Sequence, residues 1–166
     1  MNALTIASKD QFFEQLGDAF AEKIADAEAK KIMEFAKQHF AHIPLEELAH
    51  RRFSDTYGGT LSAWQFLQKR EQYESPVSVF NPDLESDGWQ STHTIIYILH
   101  PNMSFLIDSL RIAINQREIG THSIQHSILQ VERDSGGKLT KLYPPKKKAS
   151  NTSYEAFIRA GNRPAQ

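Results

Sequence analysis

The densest set of chemically able side chains lies in FNPDLESDGWQSTH, Phe80 to His93. Asp83, Glu85 and Asp87 alternate along it, with His93 a little further on. Carboxylates and an imidazole serve general acid–base catalysis when they converge and their pKa values are displaced. This run is rich in turn formers and polar residues, which keeps carboxylates solvated. The residue types favour another reading, in which Pro82-Asp83 starts a turn and Gly88 lets Trp89 fold back as an apolar anchor. No catalytic residue is assigned.

Other candidates are weighed in the same way. His122 and His126 have a spacing that could hold a metal on a helix. Their neighbours are strand formers, and four strand residues span about 13 Å, so they are expected as sheet-surface histidines with no metal site. The stretch DSGGKLT, Asp134 to Thr140, contains a Gly-Lys pair but fails the phosphate-loop template and reads as a hairpin turn. Lys146, Lys147 and Lys148 lie among prolines and serines without interleaved aromatics, as in a solvated linker. One small-ligand site is expected where Asn102, Ser104 and free backbone N–H groups gather at a helix start, with Asp108 further in. The alternative there is that Asn102 caps the helix and Asp108 answers its dipole.

Composition narrows the classes. The chain has 166 residues, 40% hydrophobic and 23% charged, with a formal net charge of −1. A real core is affordable, and no global field argues for nucleic acid or an anionic membrane surface. There is no cysteine, which excludes disulfides, thiol catalysis and cysteine zinc sites. MNALTIASKD has neither a basic n-region nor a long apolar h-region, and Ile95 to Leu99 is too short to span a bilayer. A soluble cytoplasmic protein is the expectation.

The elements that must position these groups fall into two halves. Ser8 and Gln11 have the form of a capping box. Behind them, apolar residues from Phe12 to Ala36 recur at three- and four-residue steps. This spacing predicts one long amphipathic helix from Lys9 to Phe40, or two joined near Gly17. A short helix follows from Pro44, with acids in its first turn and Arg51 and Arg52 in its last. Tyr57-Gly58-Gly59 reads as a turn, after which Leu61, Trp64 and Leu67 mark a third helical face.

The second half is β-rich. Strands are predicted at Val77 to Phe80 and at Thr94 to Leu99, the latter buried on both faces and broken by His100-Pro101-Asn102. A helix is expected from Met103 to Gly120, then the strand THSIQHSILQVERD, a hairpin, LTKLYP pairing back, a linker, and a last strand at YEAFIR. Helices followed by β-α-β-β make an α+β class, with a run that is half of a ferredoxin-like βαββαβ module.

DTYGGTLSAWQFLQKR (Asp55 to Arg70), VFNPDLESDGWQSTHTIIYILHPNMSFLIDSL (Val79 to Leu110), IQHSILQVERDSGGKL (Ile124 to Leu139) and YEAFIR (Tyr154 to Arg159) resemble the N-terminal region of the large bacterial NAD-specific glutamate dehydrogenases. The resemblance implies a helical segment over 1–75, an ACT-like α+β module over 76–160, and a polar tail over 161–166. It stops at Arg159, so the module is expected to be incomplete. It implies a non-catalytic regulatory or assembly segment, or a purely structural oligomerisation or docking module. The parent would convert L-glutamate to 2-oxoglutarate with NAD, and no cofactor is expected in this chain. The implied partners are the rest of the parent polypeptide or a second copy at the sheet edge, and an amino-acid effector at Asn102, Ser104 and Asp108.

Overall fold

In a computed structural model the chain is described over residues 7–116, 121–145 and 147–162. Four helices lead: α1 (Lys9–Lys23), α2 (Asp26–His39), α3 (Leu45–His50) and α4 (Phe53–Leu67). Strand β1 (Val77–Phe80), a one-turn helix α5 (Leu84–Asp87), β2 (Thr94–Pro101) and α6 (Leu106–Gln116) follow. Three strands complete the sheet: β3 (Thr121–Arg133), β4 (Leu139–Tyr143) and β5 (Ser153–Asn162).

The first helix starts where Ser8 caps it, its Oγ accepting from Gln11 N–H at 3.1 Å. The helical run breaks not at Gly17 but at Ile24 and Ala25, whose backbones are extended. Gly17 lies inside α1, and a Cβ there would meet Met33 at ordinary contact distance. Phe12, Leu16 and Phe20 of α1 and Ile32, Phe35 and Ala36 of α2 are buried together.

Two helical expectations are corrected. Tyr57-Gly58-Gly59 is not a turn, because α4 runs through it. The glycines answer a neighbour: a Cβ on Gly58 would come within 2.6 Å of Trp89, and one on Gly59 within 3.6 Å. Glycine is chosen here to let an indole lie against a helix backbone, not to bend the chain. Arg51 and Arg52 are not in the last turn of α3. They form the extended link between α3 and α4, Arg51 as the residue after one helix and Arg52 as the residue before the next.

The sheet has the order β1-β2-β5-β3-β4, and every adjacent pair is antiparallel. Strand β5 lies between β2 and β3, so β2-α6-β3 is a split β-α-β unit of the ferredoxin-like kind. The α+β class with helices before an antiparallel sheet is as expected. Strand β5 also runs beyond YEAFIR, to Asn162.

Strand β2 is not buried on both faces. Ile95, Tyr97 and Leu99 are buried, whereas Ile96 and Ile98 are only partly so. The reason is that helices α1 to α4 cover one face. Their core is continuous with Leu129, Val131, Leu139, Leu142 and Phe157 of the sheet. On the other face Val77, Val79, Ile128 and Tyr154 stay exposed. His100 and Pro101 do not break β2 but end it in register with Ala156 and Glu155.

The helix layer is also fastened to the sheet by charge. Glu155 of β5 is fully buried and accepts from Arg70 Nε at 2.9 Å and from Arg133 Nη2 at 2.9 Å. Arg133 donates further to the carbonyls of Leu67 and Gly137, and Arg70 to that of Glu74. Gly137 sits at φ 88°, and a Cβ there would collide with the Arg70 carbonyl.

Candidate functional site

The acid-rich run folds as a local device. Asp83 Oδ1 accepts from Glu85 N–H at 2.9 Å, and Asp87 Oδ2 from Asp83 N–H at 2.8 Å. All three acids are exposed. Gly88, at φ 79°, turns the chain so that Trp89 is 4% exposed beneath α4. The hairpin at Asp134 to Lys138 is also as expected, with Asp134 Oδ1 accepting from Gly136 and Lys138 N–H groups. His126 is exposed on β3, while the His122 side chain lies outside the described residues, as do Gly120 and Lys146. Among the described residues no group of three or more His, Asp or Glu side chains is placed to hold a metal ion. No helix among them is long and apolar enough to cross a membrane.

Asn102, Ser104 and Asp108 are all exposed, and none of them lines either of the two cavities described below. The helix starts at Leu106, so Asn102 does not cap it; its backbone N–H instead donates to the Tyr154 carbonyl at 2.9 Å. Phe105, at φ 65°, makes the turn into α6.

A concavity lies elsewhere, at one end of the interface between helices and sheet. It is a cavity of about 550 Å³. Its floor is Ile95 of β2 with Arg159 and Gly161 of β5. Its roof comes from His39 at the end of α2, from Glu47 and His50 of α3, and from Thr56 and Thr60 of α4. Arg51, Arg52 and Asp55 stand where α3 meets α4, and the loop from Trp89 to His93 closes the side. A second cavity, of about 570 Å³, lies on the other side of Trp89, between α1 and α4.

Arg159 is central to the first cavity. It stands between Tyr97 and Gln125 in the registers of β2 and β3, in one row across the sheet. Its guanidinium reaches the Tyr97 hydroxyl. Among the described residues it makes no ion pair. Burial pulls its pKa below the usual value; Tyr97 opposes this, the charge of Arg51 adds to it, and the charge of Glu47 offsets part of it. Gln125 Nε2 donates to the His39 carbonyl at 2.7 Å and touches the imidazole. His39 is buried and stacked on Phe35. Its pKa falls to about 3 through burial and the charges of Arg159 and Arg51, so the ring is neutral at physiological pH. Tyr97 is fully buried and its pKa is raised by that burial. Arg51 pairs with Glu47 at 2.8 Å, and Asp55 Oδ1 accepts from Gln90 N–H. Three guanidinium groups and hydroxyls around a recess are binding chemistry for an anion.

Sequence reading missed this site because its parts are scattered over the chain. Arg159 sits in an apolar strand as its one charged residue after Glu155, which was the available signal. An arginine at an inward position of a buried strand demands a partner.

The profile of the family described as glutamate dehydrogenase, ACT1 domain, matches residues 35–161. The NAD-specific glutamate dehydrogenase of Pseudomonas aeruginosa is 40% identical over 158 residues, 95% of this chain and 10% of that protein. That of Halomonas elongata is 43% identical over 124 residues, 75% of this chain and 8% of that protein. The chain thus spans about a tenth of the length of these relatives. No solved structure matches it.

Proposed function

The chain belongs to the glutamate dehydrogenase ACT1 domain family, and we propose that it is a non-catalytic regulatory and assembly segment of a large NAD-specific glutamate dehydrogenase. The observation that carries this reading is the match of nearly the whole chain to a tenth of such enzymes. The parent would oxidatively deaminate L-glutamate to 2-oxoglutarate and reduce NAD. The residues of this chain do not fit the dinucleotide: the turn from β2 into α6, HPNMSF, has no glycine to let a backbone approach a pyrophosphate. That supports leaving NAD to the rest of the parent.

A second, structural role is favoured by the outer face of the sheet. Val77 is 60% and Val79 62% exposed, and both lie on the edge strand β1. Such an edge and face suit packing against the rest of the parent polypeptide or a second copy. Effector binding at Asn102, Ser104 and Asp108 is part of the same regulatory reading and is tested below against the cavity.

The purified chain, free of host dehydrogenase, should form no NADH from glutamate and NAD above a no-protein control. NADH formation that tracks the chain through purification would overturn the non-catalytic reading.

A further inference from the structure

We propose that the cavity between the helical layer and the sheet binds a small organic carboxylate, with Arg159 as its anchor and Arg51 as the second cation. The inference names a ligand class for the regulatory reading and takes its physiological meaning from it. Binding by the chain itself is read without the parent's turnover, so either can fail alone.

Arg159 has no ion-pair partner among the described residues. A guanidinium drawn out of water needs a compensating anion or a full set of acceptors. On the same strand, the fold supplies Glu155 to Arg70 and Arg133. At Arg159 it supplies the Tyr97 hydroxyl and, without an ion pair, the more distant charge of exposed Glu47, and then opens a cavity. Arg51 lines that cavity as well, and its only carboxylate contact among the described residues is with exposed Glu47. Two like charges that feel each other across a recess are relieved by an anion that enters it.

The lining of the cavity selects the anion. Arg159, Arg51 and Arg52 are opposed by Glu47 and Asp55, which line the same cavity, and His39 adds no charge. The balance is one positive charge with His50 and His93 counted as neutral, which suits one singly charged carboxylate head better than a phosphate head carrying two charges. A planar guanidinium matches a carboxylate with two parallel hydrogen bonds. Phe40, Trp89 and Ile95 offer apolar wall to a short carbon chain, and the volume falls within the usual range for small-ligand sites, roughly 300–1,000 Å³. Glu47 and Asp55 are placed to receive an ammonium group if the acid is an amino acid.

Calorimetric titration tests this with sodium glutarate, 2-oxoglutarate, L-glutamate and inorganic phosphate, in wild type, Arg159→Gln, Arg51→Gln and Asp108→Asn. The expected result is saturable heat with at least one carboxylate, weakened at least about tenfold by Arg159→Gln and kept by Asp108→Asn. Glutamate binding without glutarate binding would assign the ammonium to the acidic lining; binding of both would make the carboxylate sufficient. The proposal is overturned by no saturable heat with any carboxylate at millimolar concentration, by binding of phosphate alone, or by unchanged affinity in Arg159→Gln. Loss in Asp108→Asn with Arg159→Gln unaffected would move the site to the turn before α6. If circular dichroism shows that Arg159→Gln does not fold, Arg51→Gln decides: weaker binding supports the proposal and unchanged binding overturns it.

Discussion

Strand β5 carries arginine chemistry at two places, around the fully buried Glu155 and at the half-buried Arg159, and the fold treats them in opposite ways. Around Glu155 both guanidinium groups are paired, and Arg133 also donates to two backbone carbonyls. The arrangement joins the end of α4, the β3-β4 hairpin and β5. At Arg159 the strand registers offer Tyr97 and Gln125, no carboxylate among the described residues forms an ion pair with it, and a cavity stands over the guanidinium. The difference teaches where to look for a ligand. A charge that the chain neutralises itself serves stability, and one that it leaves facing a recess serves binding.

The largest expected effect breaks the first region. Glu155→Ala leaves two largely buried guanidinium groups with backbone carbonyls but no counter-charge and should cost about 3–5 kcal/mol in urea denaturation. A loss under about 1 kcal/mol would mean that the arginines swing to water and that the clamp is ornamental. Next comes the wall of the second region. Trp89 is buried against Gly58 and Gly59 and edge-on to Phe80. Trp89→Ala should destabilise by about 3 kcal/mol, and an unchanged midpoint with unchanged m would show that the indole is not an anchor.

A smaller effect reads the electrostatics of the cavity. Unfolded, His39 takes up a proton near 6.5; folded, it resists until about 3. Between those values the unfolded state binds more protons, so this contribution is full above pH 6.5 and is lost as pH falls. By pH 5 it should cost about 2 kcal/mol. The stability difference between wild type and His39→Phe should shrink or reverse by that amount from pH 7 to 5, and a pH-independent difference would contradict a neutral buried imidazole.

Much of the fold was legible because its signals are local. Ser8 caps, β-branched runs pair as strands, and Asp134 to Lys138 turns a hairpin. Where reading failed, a distant residue had decided. Gly58 and Gly59 look like a turn until Trp89, far along the chain, is found lying on them. Arg51 and Arg52 look like the end of a helix until the chain is seen to straighten between α3 and α4. The cavity was hidden for the same reason: His39, Arg51, Thr60 and Arg159 meet only after the helices fold onto the sheet. Local turn chemistry drew attention to Asn102, Ser104 and Asp108, which stand in the open.

The most direct test of the contrast between the two arginine sites is urea denaturation of wild type and Arg159→Gln, each with and without a saturating carboxylate found by titration. Without ligand, Arg159→Gln should lie within about 1 kcal/mol of wild type, because the fold never paired that charge. With ligand at a hundred times its dissociation constant, wild type should gain about 2.7 kcal/mol and Arg159→Gln almost nothing. A wild type indifferent to every carboxylate, with Arg159→Gln as damaging as Glu155→Ala, would show that Arg159 belongs to the framework and that the two regions do not differ in kind.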